Sequence, residues 1–381
     1  MTTITFWDAD RDITCQASID AAAQRAPWLR FFFWEFWPSL SAYLPVLPAL
    51  LYSYICIGLS PRSPTAVNPA IPSGGFFGES KNDILLQLAK DNIAKTLYFP
   101  MNGSSDDPKK RKAEILKSAQ IAGISMPFIL KPDKGERGNG VYLVKEDDAM
   151  NGTLLRYLEQ MKTMDLICQE FVQGSEVGIF YMHYPDAKEG FIYSIVAKEF
   201  PYVVGDGKST LASLIASHPR HRLFADTFFK RHAERLLSVL PKGEEFQLTY
   251  LGNHGKGTLC LDGSHLITAA LAKQVDKIAK QFDGFYFGRF DFLYDGTKED
   301  LKDGKATLKV IELNGMTSEL LSVYDPGMSM FQRYKLAIGQ WLHAYRIGAA
   351  NHRRGHKLST LGELWEEYNS HWEESANVLN S

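Results

Sequence analysis

The sequence predicts a mixed α/β fold of the α+β kind, and three observations carry that prediction. From Ser125 onward, runs rich in β-branched and aromatic residues alternate with runs of helical periodicity. A glycine-rich stretch, "FILKPDKGERGNGV" (128–141), joins two apolar runs and places glycines at Gly135, Gly138 and Gly140. Late in the chain, residues 285–294 and 307–314 read as two strands that flank a polar turn, and so as a hairpin.

Bulk composition narrows the class. A chain of 381 residues, 45% hydrophobic and 23% charged, is long enough for two domains and is not globally disordered. The net charge of −2 and the lack of a long basic run exclude nucleic acid as the main partner. Cys15, Cys56, Cys168 and Cys260 are scattered without metal-ligand spacing, which suits reduced thiols in a cytosolic compartment. No apolar stretch follows a basic start within the first thirty residues, which argues against a secretory signal.

The elements follow in order. Residues 36–59 carry no charge and follow the aromatic cluster "FFFWEFW". Pro38, Pro45 and Pro48 argue against a single spanning helix. For residues 31–59 a buried core is favoured, with peripheral membrane contact left open beside it. Residues 60–82 are dense in Pro, Gly, Ser and Asn and form a long loop. Long loops are often functional, so Asn68, Gly74, Gly75, Glu79 and Lys81 are candidates to reach the site. Residues 79–90 read as a helix and 102–113 as a polar connector. A helix over 150–162 follows the glycine hairpin, then strands over 165–172, 176–184 and 190–200. Ser209-Thr210 caps a short helix, and Ile267 to Phe282 recur at amphipathic helical spacing. The expected division is an atypical N-terminal region (1–82), a helical connector (83–124), a main domain (125–348) and a helical tail (349–381). Within the main domain, subdomains are expected over about 125–172 and 173–348.

Two familiar phosphate motifs fail. A dinucleotide fingerprint opens a helix, whereas Val141 to Val144 reads as a strand. "GDGKST" (205–210) lacks the first glycine of a P-loop, since Tyr202 stands there. What remains is a glycine hairpin with Lys131 at the end of its first strand. Along the late strands, Arg289 and Asp291 share one face, as do Glu312 and Asn314. Pairing them gathers two carboxylates, an amide and a guanidinium. That oxygen set suits Mg²⁺, with Mn²⁺ able to replace it.

In "KPDKGERGNGV", "QEFVQGSEVGIF", "AKEF…VVGDGKSTL" and "GRFDF…VIELN", from about Ser125 to Tyr345, the sequence resembles the ATP-grasp superfamily. The "VVGDGKSTL" piece is similar to that of cyanophycin synthetases, and the elements around it look like the D-alanine–D-alanine ligase branch. The resemblance implies two α+β subdomains gripping ATP, with an aromatic, proline-rich N-terminal region that departs from the family. It implies that Lys131, the Gly135–Gly140 loop with Arg137 and Gly138, and Lys198 meet the phosphates. Gln169, Glu170, Phe171 and Val172 would form the adenine hinge, and Glu176 would take the ribose. Asp291, Glu312 and Asn314 would hold the metal, and Arg289 would face the transferred phosphoryl group. Lys208, Asn253, His254 and Lys256 are substrate-side candidates, with His254 as a base for the amine. The family's upstream phosphate-binding lysine has two candidates, Lys95 and Lys117.

The implied activity is ATP-dependent ligation of a small-molecule carboxylate to an amine, through an acylphosphate and with release of ADP and phosphate. Alternatives are a small-molecule kinase and a non-catalytic nucleotide-binding or membrane-tethered scaffold. The implied location is cytoplasmic, at the membrane face if residues 31–59 touch lipid. Oligomeric state stays open.

Overall fold

The computed structural model of the protein describes residues 13–37, 44–101, 107–135, 138–150, 152–250 and 252–379. Its strands are β1 (Thr96–Phe99), β2 (Phe128–Pro132), β3 (Tyr142–Val144), β4 (Leu166–Glu170), β5 (Ser175–Met182), β6 (Phe191–Glu199), β7 (Tyr202–Val204), β8 (Glu245–Gln247), β9 (Leu259–Asp262), β10 (Phe287–Tyr294) and β11 (Leu308–Asn314). Antiparallel sheets mixed with helices are the class that the sequence predicts. The chain separates into two compact units. One comprises Met1–Pro45, Lys198–Leu261 and Tyr324–Gly327, and the other Val46–Ala197, Asp262–Val323 and Met328–Ser381.

The first unit is built on the helix Gln16–Arg30. Ile19, Ala22 and Ala26 recur at i, i+3 and i+7, so they form one stripe, packed with Leu211, Ile215, Phe224 and Phe228. Arg30 ends that helix by donating from Nε to the Leu223 carbonyl and from Nη2 to Asp226, each at 2.6 Å. "GDGKST" is a turn and a cap here. Asp206 Oδ1 accepts from the backbone N–H groups of Lys208 (2.8 Å) and Ser209 (2.7 Å). The Thr210 hydroxyl accepts from Ser213 N–H at the start of helix Leu211–Ser217.

The second unit holds two sheets. The smaller runs in the order β1-β4-β2-β3, antiparallel throughout. Alternation turns Phe128, Leu130, Leu166 and Cys168 into a core with Ile115 and Leu158, which come from the helices Pro108–Ile121 and Thr153–Gln160. The same alternation turns Lys131 and Gln169 to the opposite face. In the larger sheet β11, β10, β5 and β6 lie side by side and antiparallel. One face, with Val177, Ile179, Phe290, Phe292 and Val310, packs on Leu271, Val275 and Ile278 of the helix Ala269–Ala279. Each such buried side chain contributes about 1.5–3 kcal/mol. The other face carries Phe180, Met182 and Phe287 against Ala344 and Ile347 of the helix Met330–Arg353. Further along, this face carries Arg289, Asp291 and Glu176.

That last helix also secures the 60–82 loop. Asn351 Nδ2 donates to the carbonyls of Ala66 (2.9 Å) and Val67 (3.1 Å). One turn earlier, a Cβ on Gly348 would stand 1.8 Å from the Ser63 carbonyl oxygen. Both partners are backbone, so neither can swing aside. Gly348→Ala is therefore expected to cost about 1–3 kcal/mol, read as a fall in the thermal midpoint.

The buried-core reading of residues 31–59 holds at Phe36, which packs on Phe224, and at Val46, and fails for most of the other described apolar side chains. Leu47, Leu51, Tyr52, Tyr54 and Ile55 of the helix Leu47–Ile57 are each more than half exposed, as are Phe31 and Phe32, whereas Val46 is buried. The helix Leu47–Ile57 packs against the helix Met330–Arg353, and a helix that is largely apolar all round leaves its other sides exposed when it is covered along one side only. Residues 38–43 of this stretch lie outside the described residues. Among the described residues, no helix is long and apolar enough to cross a membrane. Cys15, Cys168 and Cys260 are free thiols.

Candidate functional site

The polar face of the larger sheet owes its character to one irregularity. Arg289 stands opposite Asn314 and Asp291 opposite Glu312, but Phe292 stands opposite Val310. Ile311 is thus an extra residue in β11, a bulge. An extra residue reverses the side that every later side chain takes. Without it Glu312 would share the side of Val310, in the core. With it Glu312 and Asn314 join Arg289, Asp291 and, across β5, Glu176 and Gly178. The Ile311 carbonyl accepts from Lys131 Nζ at 3.1 Å, and the same ammonium donates to Gln169 Oε1 at 3.0 Å. One lysine therefore ties the glycine-hairpin sheet to the bulge.

Electrostatics sharpen the picture. Burial pushes the Lys131 ammonium down to about 8, and nearby Lys81 pushes the same way, against the Glu312, Glu176 and Asp291 carboxylates. An added anion would push it back up. Arg289 is likewise pulled down by burial, but Asp291 outweighs this, with help from Glu312 and Glu319, and the net shift is upward. Its Nε and Nη2 donate to Asp291 Oδ1 (3.0 Å) and Oδ2 (3.2 Å), and its Nη1 donates to the Glu319 carbonyl at 2.7 Å. Gly178 leaves room for this fork. A Cβ there would stand 2.6 Å from Val196 Cγ1 and 3.0 Å from Asp291 Oδ1.

The 60–82 loop reaches this group, as its length suggests. Asn68 is fully buried and acts as a strand substitute. Its amide donates to the carbonyls of Gly74 and Phe287 and accepts from the N–H groups of Tyr286 and Phe287. Glu79 accepts from Gly315 N–H at 2.9 and 3.1 Å. Gly75 has φ of 88°, and its missing Cβ leaves space for the Glu79 carboxylate. Lys81 Nζ lies 3.7 Å from Glu312 Oε1 and donates to the carbonyls of Gly135 (2.7 Å) and Asp133 (3.2 Å). Of the two upstream lysine candidates, Lys95 is exposed and donates to Gly123 O, and Lys117 is exposed on its helix. Lys81 is the lysine that meets Glu312.

The other expected residues divide. Gly138 and Gly140 take φ of 71° and 69° in the hairpin loop, and the Gly140 carbonyl accepts from Tyr157 OH. Arg137 lies outside the described residues. Glu170 is occupied with the Lys95 backbone N–H (2.8 Å), and Phe171 and Val172 are half-buried just beyond β4. Glu176 and Lys198 are buried. Lys208 is exposed, and Asn253 is half-buried. The ammonium of half-buried Lys256 is pushed down by burial and then by Arg231.

His254 belongs to the first unit, in a cluster the sequence does not announce. Its Nε2 is 3.0 Å from Glu35 Oε2, its ring stacks on Tyr324, and Arg220 Nη1 donates to Glu35 Oε1 at 3.0 Å. Burial raises the Glu35 carboxyl, but the His254 hydrogen bond and the Arg220 charge outweigh it and hold the group below its usual range. A depressed folded value means the stabilisation is full above the unfolded pKa and lost as pH falls through the folded one. The thermal midpoint is therefore expected to fall between about pH 5 and pH 3, and Glu35→Gln should flatten that fall.

The residues of the sheet face fit a hard divalent cation. Two carboxylates stand on directly opposed residues, about 5 Å apart at Cβ. Asn314, one pair further on, has its Nδ2 buried without a hydrogen-bond partner. Each Asp291 oxygen accepts from Arg289, which holds the carboxylate in place. Among the described residues no three His, Cys, Asp or Glu side chains cluster as ligands, so a cation here would depend on Asn314 and on substrate oxygens.

No protein-family model matches the chain, and no curated protein matches it. Solved structures similar to it include a bifunctional glutathione synthetase from Pasteurella multocida, 14% identical with a TM-score of 0.36, covering 74% of this chain and 37% of that one. The VanG D-Ala:D-Ser ligase from Enterococcus faecalis is also 14% identical, with a TM-score of 0.36 and coverage of 69% and 61%. A D-alanine–D-alanine ligase from Bacillus anthracis is 13% identical, with a TM-score of 0.38 and coverage of 71% and 68%. The chain spans less than two thirds of the length of the first two.

Proposed function

We propose that the protein is an ATP-dependent carboxylate–amine ligase. The observation that carries this reading is the bulged register of β10 and β11, which sets Asp291 opposite Glu312 and Arg289 opposite Asn314 while Lys131 bonds the bulge carbonyl. Cations and carboxylates placed side by side suit a reaction in which two anions, a polyphosphate and a carboxylate, must approach each other.

In this reading a carboxylate oxygen of the substrate attacks the γ-phosphorus of ATP, the bond to the β-phosphate oxygen breaks, and ADP leaves. The amine nitrogen then attacks the acylphosphate carbonyl carbon, the amide forms, phosphate leaves, and the amine's proton passes to solvent. Lys131 and the backbone N–H groups beside Gly138 and Gly140 would bind phosphate oxygens. Arg289, held flat by Asp291, would stabilise charge on the transferred group. Gln169, whose Oε1 orients the Lys131 ammonium, would position that cation. Bound Mg²⁺, held by Asp291, Glu312 and Asn314, would neutralise phosphate charge. Lys198 and His254 receive no step. The substrates would be small molecules, and the free thiols and ATP chemistry favour a cytoplasmic setting.

Incubation with Mg-ATP, a panel of amino acids and small carboxylates, and hydroxylamine as a generic amine tests the reading. ADP, phosphate and a hydroxamate appearing together support it. ADP with a phosphorylated product and no free phosphate would replace it with a kinase.

A further inference from the structure

We propose that Glu367, on the C-terminal helix Leu361–Leu379, is a positioning residue for the proposed cation site and acts through Ser73. The inference rests on the reading above and concerns a helix that lies beyond the motif set. Among the described residues Ser73 is the one non-glycine residue with positive φ, at φ of 45° and ψ of 30°. A side chain crowds its own backbone there, so the conformation persists only where its surroundings hold it. Two contacts hold Ser73, which is buried. Its hydroxyl donates to Glu367 Oε1 at 2.8 Å and lies 2.9 Å from Ser359 Oγ. Glu367 Oε2 is buried without a hydrogen-bond partner among the described residues, so the carboxylate meets the loop through Ser73. The helix itself is seated by Tyr368 and His371, whose rings lie 5.7 and 6.3 Å from that of Phe77.

The turn that Ser73 sets leads straight to the end of β11. Gly74 and Gly75 continue it at φ of 70° and 88°. Their carbonyls accept from the N–H groups of Met316 (3.1 Å) and Thr317 (3.3 Å). Residues 74–75 therefore lie along 316–317, just beyond β11 and its last residue, Asn314. The approach is close, since a Cβ on Gly315 would stand 2.8 Å from the Gly74 carbonyl oxygen. If Ser73 relaxed to negative φ, those two carbonyls would turn away from their donors. The chain that carries Glu312 and Asn314 would then lose its outer support, and the carboxylate–amide set its fixed geometry. Contacts of this outer kind orient metal ligands and tune affinity without touching the ion.

Mn²⁺ affinity of the full-length protein, measured by electron paramagnetic resonance beside a non-hydrolysable ATP analogue, tests this without turnover. Glu367→Ala should weaken Mn²⁺ binding about tenfold. Ser73→Ala, which keeps the carboxylate and removes the hydroxyl, should weaken it equally. Glycine adopts positive φ without support, so Ser73→Gly should bind Mn²⁺ as the wild type does. Combined with Glu367→Ala, Ser73→Gly should restore most of the lost affinity. A merely structural role would show no such rescue, because glycine mends the turn and not the seating of the helix. Unchanged affinity in Glu367→Ala would overturn the proposal, as would a loss that Ser73→Gly leaves in place. If Glu367→Ala does not fold, the contrast between Ser73→Ala and Ser73→Gly decides in the same way. A wild type that binds neither the analogue nor Mn²⁺ would remove the proposed function, and the positioning role with it. If the wild type binds both and the glycine rescue fails, only the positioning role falls.

Discussion

Glu312→Gln is expected to lower ATP-dependent turnover about 10³-fold, the equivalent of about 4 kcal/mol of transition-state stabilisation. The substitution keeps the shape of the side chain and removes one negative charge from the set that would bind the cation. Stability should change little. Among the described residues Glu312 pairs with Lys81 at 3.7 Å, and its side chain is a third exposed, so the pair is worth about 0–1 kcal/mol. A coupled assay for ADP release, read beside a thermal melt, separates the two effects. Turnover within tenfold of wild type would remove Glu312 from the chemistry and with it the main support for ligation.

Arg289→Met has the opposite profile and should destabilise the protein by about 3–5 kcal/mol. The Arg289 side chain is 13% exposed and that of Asp291 only 4%. Removing the guanidinium leaves the Asp291 carboxylate in a low-dielectric site without its bidentate partner, and the Glu319 carbonyl also loses its donor. Replacing both residues at once, Arg289→Met with Asp291→Leu, should recover much of the loss, because two apolar groups leave no stranded charge. Denaturant unfolding of the three proteins checks this. A double variant less stable than the single one would show that packing, and not charge, dominates at this point of the sheet.

Much of this was legible in the sequence, and the reasons are local. Phe128 to Lys131 alternates as a strand must, and Gly138 and Gly140 sit where the turn needs positive φ. Arg289 with Asp291, and Glu312 with Asn314, share faces because strand side chains repeat every two residues. The face on which the two pairs meet was not legible. It depends on the single extra residue Ile311, and "VIELN" reads the same with or without a bulge. The partnership of Glu35 with His254 spans 219 residues, and that of Asn68 with Phe287 likewise 219. Such pairings follow from how elements pack, which periodicity does not encode. The apolar run at Leu47 to Ile57 misled for a related reason: hydrophobicity says that a segment prefers burial, not that a surface is available to bury it.

The clamp formed by Asn351 has a consequence for biosynthesis. The carbonyl that it holds belongs to Ala66, 285 residues earlier. At about 5–20 residues per second, a ribosome needs about 15–60 s to make the intervening chain. Throughout that interval the loop that bears Glu79 and Lys81 lacks its asparagine clamp, and for most of it also lacks β11 and Gly315. The smaller sheet, made of Thr96 to Glu170, can assemble early. The Ala66 end of the 60–82 loop must wait for the helix Met330–Arg353, so a prematurely terminated chain holds a folded smaller sheet with that end of the loop unclamped.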